Sequence, residues 1–284
     1  MSRALTLGSI NTNSLRSWFR KSRFYIRHQS ENENVFHCTV HKSASQWVRL
    51  VASDERVYRY CGLSSYQYTQ EMPCKFDPRR VTQRSFDKPF PVRTFITPLY
   101  IDYNNFLNIP KPSRYKAFFV MRDPRDVLVS WYFSSKYSHD LIGDQAKIRE
   151  ELNRLDLTDG LLYGIDFLND FGLFKAQRSW ADAGSNQDVV MLVRYEELAA
   201  DNLSLFRKLC DHCDIRIPTD VLKELLQDNS FERLSGGRRP GEEKKDASYR
   251  KGVPGDWKNH FNGKIEQRFA ESTGDLLAVW SYES

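Results

Sequence analysis

With 284 residues, 40% of them hydrophobic and 28% charged, the chain has the balance of a globular protein that buries a sizeable core. The 42 Lys+Arg against 37 Asp+Glu leave a net charge of +5, which suits an anionic ligand and falls short of the clustered surplus of a nucleic-acid binder. No apolar run approaches the roughly 18 residues of a membrane span, and five scattered cysteines are too few for a disulfide framework.

The first acidic residue is Glu31, and Arg3, Arg16, Arg20, Lys21, Arg23 and Arg27 precede it among several serines. Transit peptides share that composition. Leu15, Trp18 and Phe19 fall at helical spacing, which favours a basic helix or extension over residues 1–34 ahead of a single domain over 35–284. Asn34 to Val40 reads as a strand and Ser45 to Ser53 as a helix. Pro91 to Thr97 and Tyr115 to Met121 read as strands, Pro124 to Lys136 and Gln145 to Arg154 as helices, and Gly160 to Ala183 as a broken helical region. Asp188 to Val193 is a further apolar run, and Asn202 to Cys213 a helix. Cys210 and Cys213 lack the second pair that zinc needs; they read as reduced structural thiols, which suits a reducing, cytoplasmic compartment. Apolar runs alternating with helices predict an α/β fold, a single domain whose central parallel sheet is flanked by helices. From Ser235 to Asp256, glycine and charge without periodicity mark a long loop of the kind that closes over a ligand.

Three stretches carry chemistry. T-V-H-K-S-A-S-Q-W, Thr39 to Trp47, sets Lys42 among hydroxyl residues at a strand-to-helix turn. Free N–H groups at a helix start attract an anion, and the lysine adds a full charge; a plain serine N-cap at Ser43 or Ser45 is the alternative. G-x-x-x-x-G-K-[ST] is absent, which weakens an ATP-dependent phosphotransferase reading. In R-D-P-R-D-V-L-V-S, Arg122 ends a strand, Asp123 and Asp126 form a D-x-x-D capping pattern, and Ser130 follows on the helix. The third stretch, Y-R-K-G-V-P-G-D-W-K-N-H-F from Tyr249 to Phe261, offers Arg250 and Lys251 beside Gly252. Three basic or hydroxyl clusters far apart in sequence imply a ligand with two separated phosphates.

These stretches resemble the motifs of the cytosolic-type sulfotransferases, which use 3′-phosphoadenosine 5′-phosphosulfate (PAPS). T-V-H-K-S-A-S-Q-W is similar to T-x-P-K-S-G-T-x-W, R-D-P-R-D-V-L-V-S to R-x-P-x-D-x-x-x-S, and R-K-G-V-P-G-D-W-K-N-H-F to R-K-G-x-x-G-D-W-K-N-x-F. The similarity runs from Val35 to Phe269. It implies a P-loop-like turn in which Lys42, Ser43, Ala44, Ser45 and Gln46 cradle the 5′-phosphate, and a 3′-phosphate site of Arg122, Ser130, Arg250, Lys251 and Gly252. Trp47 and Phe231 would pack on adenine and Tyr195 would help to position it. No metal is implied. The implied reaction is in-line sulfuryl transfer to a small-molecule acceptor with release of adenosine 3′,5′-bisphosphate, Lys42 stabilising the leaving phosphate.

The chain departs from the family pattern in three places. The family's base is a histidine in K-T-H-L-P; the similar stretch here, R-T-F-I-T-P, puts Phe95 in its place, so His41 and His139 become the candidate bases, the alternative being an acceptor such as a neutral amine that needs little help. Ala44 stands for a glycine and is tolerable only with a negative φ. A dimer contact of the form K-x-x-x-T-V-x-x-x-E is replaced by Lys258, Asn262-Gly263 and Gln267, which implies a monomer or a dimer through another interface. The stretch from Arg56 to Phe90, with Tyr58, Tyr60, Tyr66 and Tyr68, is expected to form part of the acceptor pocket. A non-catalytic PAPS or nucleotide binder is the rival reading, and retained Lys42 speaks against it.

Overall fold

A computed structural model of the protein describes residues 25–72, 75–186 and 188–282. The basic segment with Leu15, Trp18 and Phe19, and Cys74, lie outside the described residues. Five strands, β1 (Asn34–Thr39), β2 (Ser64–Tyr66), β3 (Thr94–Tyr100), β4 (Tyr115–Met121) and β5 (Val190–Arg194), form one sheet in the order β2-β3-β1-β4-β5. Every neighbouring pair is parallel, as the alternation of apolar runs and helices predicts. The helices are α1 (Ser45–Ala52), α2 (Glu55–Arg59), α3 (Tyr103–Asn108), α4 (Pro124–Phe133), α5 (Gln145–Arg154), α6 (Leu157–Asp170) and α7 (Leu173–Ser179). After β5 come α8 (Tyr195–Ala200), α9 (Asn202–His212), α10 (Thr219–Asp228), α11 (Phe231–Leu234), α12 (Gly263–Thr273) and α13 (Leu276–Val279).

Successive side chains of a strand point to opposite faces, so the sheet divides the core in two. Phe36, Cys38, Ile96, Leu99, Phe119 and Met121 join α3, α4, α6, α7 and α12 on one face. Val35, Phe95, Phe118 and Val120 meet α1, α2, α9 and α10 on the other. Phe119 stacks on Trp180 at 4.6 Å, and the Trp180 Nε1–H donates to the Ile101 carbonyl at 2.9 Å. That pair ties the end of β3 to the middle of β4. Among the described residues no helix is long and apolar enough to cross a membrane.

One strand sits three residues later than its sequence suggests: β3 is Thr94–Tyr100 rather than Pro91 to Thr97. Proline removes a ladder donor, so an apolar run reads as ending before Pro98. Here the ladder slips instead. Phe36 pairs with Ile96 and Cys38 with Leu99, so β3 carries one residue more than β1 and Pro98 lies in that irregularity.

Candidate active site

The carboxyl ends of the inner strands finish level: Thr39 pairs with both Tyr100 and Val120, and Met121 with Arg194. His41 and Lys42, Tyr100, Arg122 and Tyr195 therefore leave the sheet side by side. The chain runs from β1 outward to β2 and β3, then returns past β1 to β4 and β5. A reversal of strand order at β1 is where an open parallel sheet leaves a crevice for a ligand.

In the turn from β1 to α1, Lys42 has φ 68° and Ala44 φ 58°. The negative φ expected of Ala44 is thus not adopted. A left-handed residue other than glycine costs about 1–2 kcal/mol, and left-handed residues within such a turn are the backbone pattern of anion-binding nests. Ala44 occupies the N-cap position of α1 and the helix start has no side-chain cap, so the serine-cap alternative is not what forms. Ser43 is fully buried, and its Oγ has no partner. Ser45 Oγ and Tyr100 Oη are 3.0 Å apart, and Gln46, itself exposed, donates its Nε2–H to the same phenol at 3.4 Å. Trp47 packs edge-on to Phe206 at 5.6 Å, and its Nε1–H is also buried without a partner.

Burial pulls the Lys42 ammonium down to about 8, with the charges of Arg122 and Arg250 adding to the effect. Arg122 donates from Nη1 to the Lys42 carbonyl at 3.0 Å and lies over the Tyr195 ring at 4.7 Å, its Nε buried without a partner. Asp123 caps α4 by accepting from the Arg125 N–H at 2.9 Å. The expected D-x-x-D cap is not completed, because Glu196 takes the Asp123 N–H at 2.9 Å. Asp126 instead accepts from the Gly255 N–H at 2.6 Å and the Trp257 N–H at 3.0 Å. Arg125 reinforces that junction by lying over the Trp257 ring at 3.7 Å. The second motif therefore holds the third, 129 residues away, by main-chain hydrogen bonds.

The loop from Ser235 to Asp256 folds on itself: Gly241 N–H donates to the Lys251 carbonyl at 2.7 Å and Lys244 N–H to that of Arg250 at 3.0 Å. At its base Arg250 and Lys251 both pair with Asp256, Arg250 at 2.5 Å. Burial alone would raise the Asp256 carboxyl. Hydrogen bonds from His260, Lys251, Asn259 and Arg250 outweigh burial and hold it far below the usual carboxylate range. Arg250 also lies over the Phe133 ring at 4.4 Å, one turn beyond the half-buried Ser130 on α4. Gly252 has φ +72°, and a Cβ there would be driven into the ring of Phe231.

The acceptor side differs most from expectation. Phe95 is buried in the second core near the start of β3, so it does not stand at the site; the residue that β3 delivers there is Tyr100. Tyr60 packs in that second core too, with its Oη accepting from Arg27 at 3.1 Å, so it turns away from the strand ends. Tyr68 packs on Phe86 at 5.2 Å with its Oη buried and unpartnered. His41 stacks on Tyr100 at 4.2 Å, and its Nε2 is 3.4 Å from Arg84 Nη2. A guanidinium only donates, so in this contact the Nε2 lone pair, the one a base would use, faces Arg84. His139 is exposed, and its Nδ1–H donates to the Asp140 carbonyl at 3.4 Å, which leaves the Nε2 lone pair free. Partial desolvation by the surrounding chain and the Lys42 charge lower its pKa. Tyr100, Arg84 and Asp256 escaped the sequence reading, and Asp126 was read only as a cap, because what they do depends on pairing across the fold.

The sulfotransferase domain family model matches residues 28–281. The 3-beta-hydroxysteroid sulfotransferase of Cavia porcellus is 28% identical over 190 residues, 64% of this chain and 61% of that protein. Sulfotransferase 2A1 of Homo sapiens is 29% identical over 176 residues, 58% of each. The chain thus spans about three-fifths of the length of these curated relatives. Mouse sulfotransferase SULT7A1 complexed with PAP superimposes with a TM-score of 0.58 at 19% identity, covering 88% of this chain and 85% of that one. Retinol dehydratase with retinol and PAP gives a TM-score of 0.51 at 14% identity over 92% and 86% of the two chains. Both share the fold.

Proposed function

The chain belongs to the sulfotransferase domain family, and on that premise we propose that it moves a sulfuryl group from PAPS to a hydroxyl or amine of a small molecule, releasing adenosine 3′,5′-bisphosphate. The observation that carries this reading is a set of buried polar atoms without partners among the described residues, Ser43 Oγ, Trp47 Nε1 and Arg122 Nε, around the uncapped start of α1. Buried donors are normally satisfied, and an anionic nucleotide would satisfy these.

Bound PAPS supplies an activated sulfuryl group: the acceptor oxygen or nitrogen bonds to sulfur as the bond from sulfur to the 5′-phosphate oxygen breaks, and that oxygen keeps the electron pair. Lys42 and the N–H groups of Ser43, Ala44, Ser45 and Gln46 hold the charge that collects on that phosphate. Arg122, Ser130, Arg250, Lys251 and Gly252 form the 3′-phosphate subsite. Arg250 and Lys251 do so by sharing or exchanging Asp256. Trp47, Phe231 and Tyr195 flank the adenine. His139 receives the acceptor proton at Nε2. Beside it Tyr137, Leu141 and Ile142 are exposed apolar side chains, which suits an acceptor with an apolar body, as in the hydroxysteroid that names the Cavia porcellus relative.

Lys264 and Arg268 of α12 pair with Asp159 and Asp166 of α6 in the same chain, which favours a monomer or a dimer through another surface. Cys38, Cys61, Cys210 and Cys213 are free and buried, in keeping with the cytoplasm.

A thermal-shift series with adenosine 3′,5′-bisphosphate, PAPS, ADP and ATP tests the reading. A ligand at 100 times its Kd stabilises a fold by about 2.7 kcal/mol. The bisphosphate and PAPS are expected to raise Tm, ADP is not, and Arg122→Ala abolishes the shift. Stabilisation by ATP alone would turn the reading to an ATP-dependent phosphotransferase. PAPS binding without transfer to any acceptor would turn it to a non-catalytic PAPS binder.

A further inference from the structure

The mechanism above leaves a buried cation without a role. Arg84 has no exposed surface. It donates from Nε to the Arg79 carbonyl at 3.0 Å, from Nη1 to the Tyr100 carbonyl at 3.3 Å and from Nη2 to the Asp77 carbonyl at 3.1 Å. Asp77 lies 3.5 Å away but is already engaged by Arg79 at 2.9 Å. The remaining contact is to His41 Nε2 at 3.4 Å. Because a guanidinium has no acceptor and keeps its protons, the single proton of a neutral His41 lies on Nδ1. The ring cannot turn freely: Tyr100 stacks on one face at 4.2 Å and Phe171 leans on it at 5.6 Å. Tyr100 is itself fastened to the phosphate loop through Ser45. One residue before Lys42, the Nδ1–H makes no hydrogen bond among the described residues.

We propose that Arg84 is a positioning residue that fixes His41 as a neutral imidazole, whose Nδ1–H donates to an oxyanion of the group transferred beside Lys42. The proposal rests on the sulfotransferase reading. The groups that face His41 point the same way: Arg84 from the segment before β3, His139 from the turn after α4, Lys42 from its own loop and the phenol of Tyr100 from β3 supply no free carboxylate. Burial and those charges keep the imidazole uncharged, its pKa well below the ordinary value. A fixed neutral donor meets charge as it develops without adding a second cation next to Lys42.

Selective 15N-histidine NMR reads the tautomer directly, with the His41 signal assigned by its loss in His41→Asn. Between about pH 5.5 and 8, wild-type His41 is expected to stay protonated at Nδ1 and unprotonated at Nε2, and Arg84→Gln to bring it into titration. A wild-type His41 that titrates in this range, or carries its proton on Nε2, overturns the proposal. PAPS is expected to move the His41 Nδ1 signal. If PAPS raises Tm while that signal stays still, the donor role falls and the sulfotransferase reading stands. If PAPS fails to raise Tm, the reading falls and takes the donor role with it, whatever the tautomer. In turnover, His41→Asn keeps an amide N–H near the Nδ1 position and His41→Gln does not. About a hundredfold loss of kcat is expected for His41→Gln, in the range of a lost oxyanion donor, and less than tenfold for His41→Asn. Equal losses in two variants that melt like wild type overturn the proposal.

Discussion

At the turn between β1 and α1, Ser43 Oγ and Trp47 Nε1 are buried without partners, whereas at the base of the 235–256 loop Arg250 and Lys251 already share the carboxylate of Asp256. On the proposed reading the first region is built in advance for an anion, and binding there gives Ser43 Oγ and Trp47 Nε1 the hydrogen bonds they lack among the described residues. The second is neutralised from within, and an anion there competes with Asp256. The comparison teaches that the 5′ end of a bisphosphate nucleotide should carry more of the affinity than its number of cations suggests. The 3′ end should serve discrimination.

The largest effect that sharpens this contrast is expected from Lys42→Ala. Loss of one preorganised charge-stabilising group costs about 10²–10³ in kcat, and single-turnover sulfuryl transfer measured with saturating PAPS isolates that step. A loss below threefold would mean the loop binds without assisting. Asp256→Asn should come next. Removing a buried carboxylate that joins four side chains costs about 3 kcal/mol, seen as a lower denaturation midpoint. The surviving folded protein should hold the bisphosphate at least as tightly as wild type, because the internal competitor is gone; weaker binding with an intact fold would break the comparison.

The pH dependence follows from Lys42. Its folded value of about 8 lies below the ordinary value of 10.5, so between these values the unfolded chain binds more protons and the free protein gains stability as pH rises. Ligand binding favours the charged amine, so affinity for the bisphosphate should fall above pH 8, by up to about tenfold per unit. Calorimetry in buffers of differing ionisation heat should show proton uptake there, and its absence would remove Lys42 from the anion site. The smallest effect is expected from Ala44→Gly. Relief of the left-handed strain, about 1–2 kcal/mol, is partly offset by the extra freedom of glycine in the unfolded chain, about 0.5–1 kcal/mol. A net gain of about 0–1.5 kcal/mol raises Tm by a few degrees at most; a decrease would show that the methyl group packs usefully in the turn.

By itself the sequence determined the parallel α/β sheet and the three motif stretches at its strand ends. These depend on periods of two and 3.6 and on near neighbours, which a linear reading detects. Tyr115 to Met121 and Gln145 to Arg154 are strand and helix over their expected bounds. The tertiary structure alone decided that Asp126 fastens the third motif to the second, that Asp256 neutralises Arg250 and Lys251, and that His41 faces Arg84. It also decided that Tyr100, at the carboxyl end of β3, and not Phe95, near its start, lies level with the end of β1. Each of these is a pairing between residues brought together by strand order and register. Hydrophobic periodicity carries no label for its partner, so such pairings form only once the sheet has assembled.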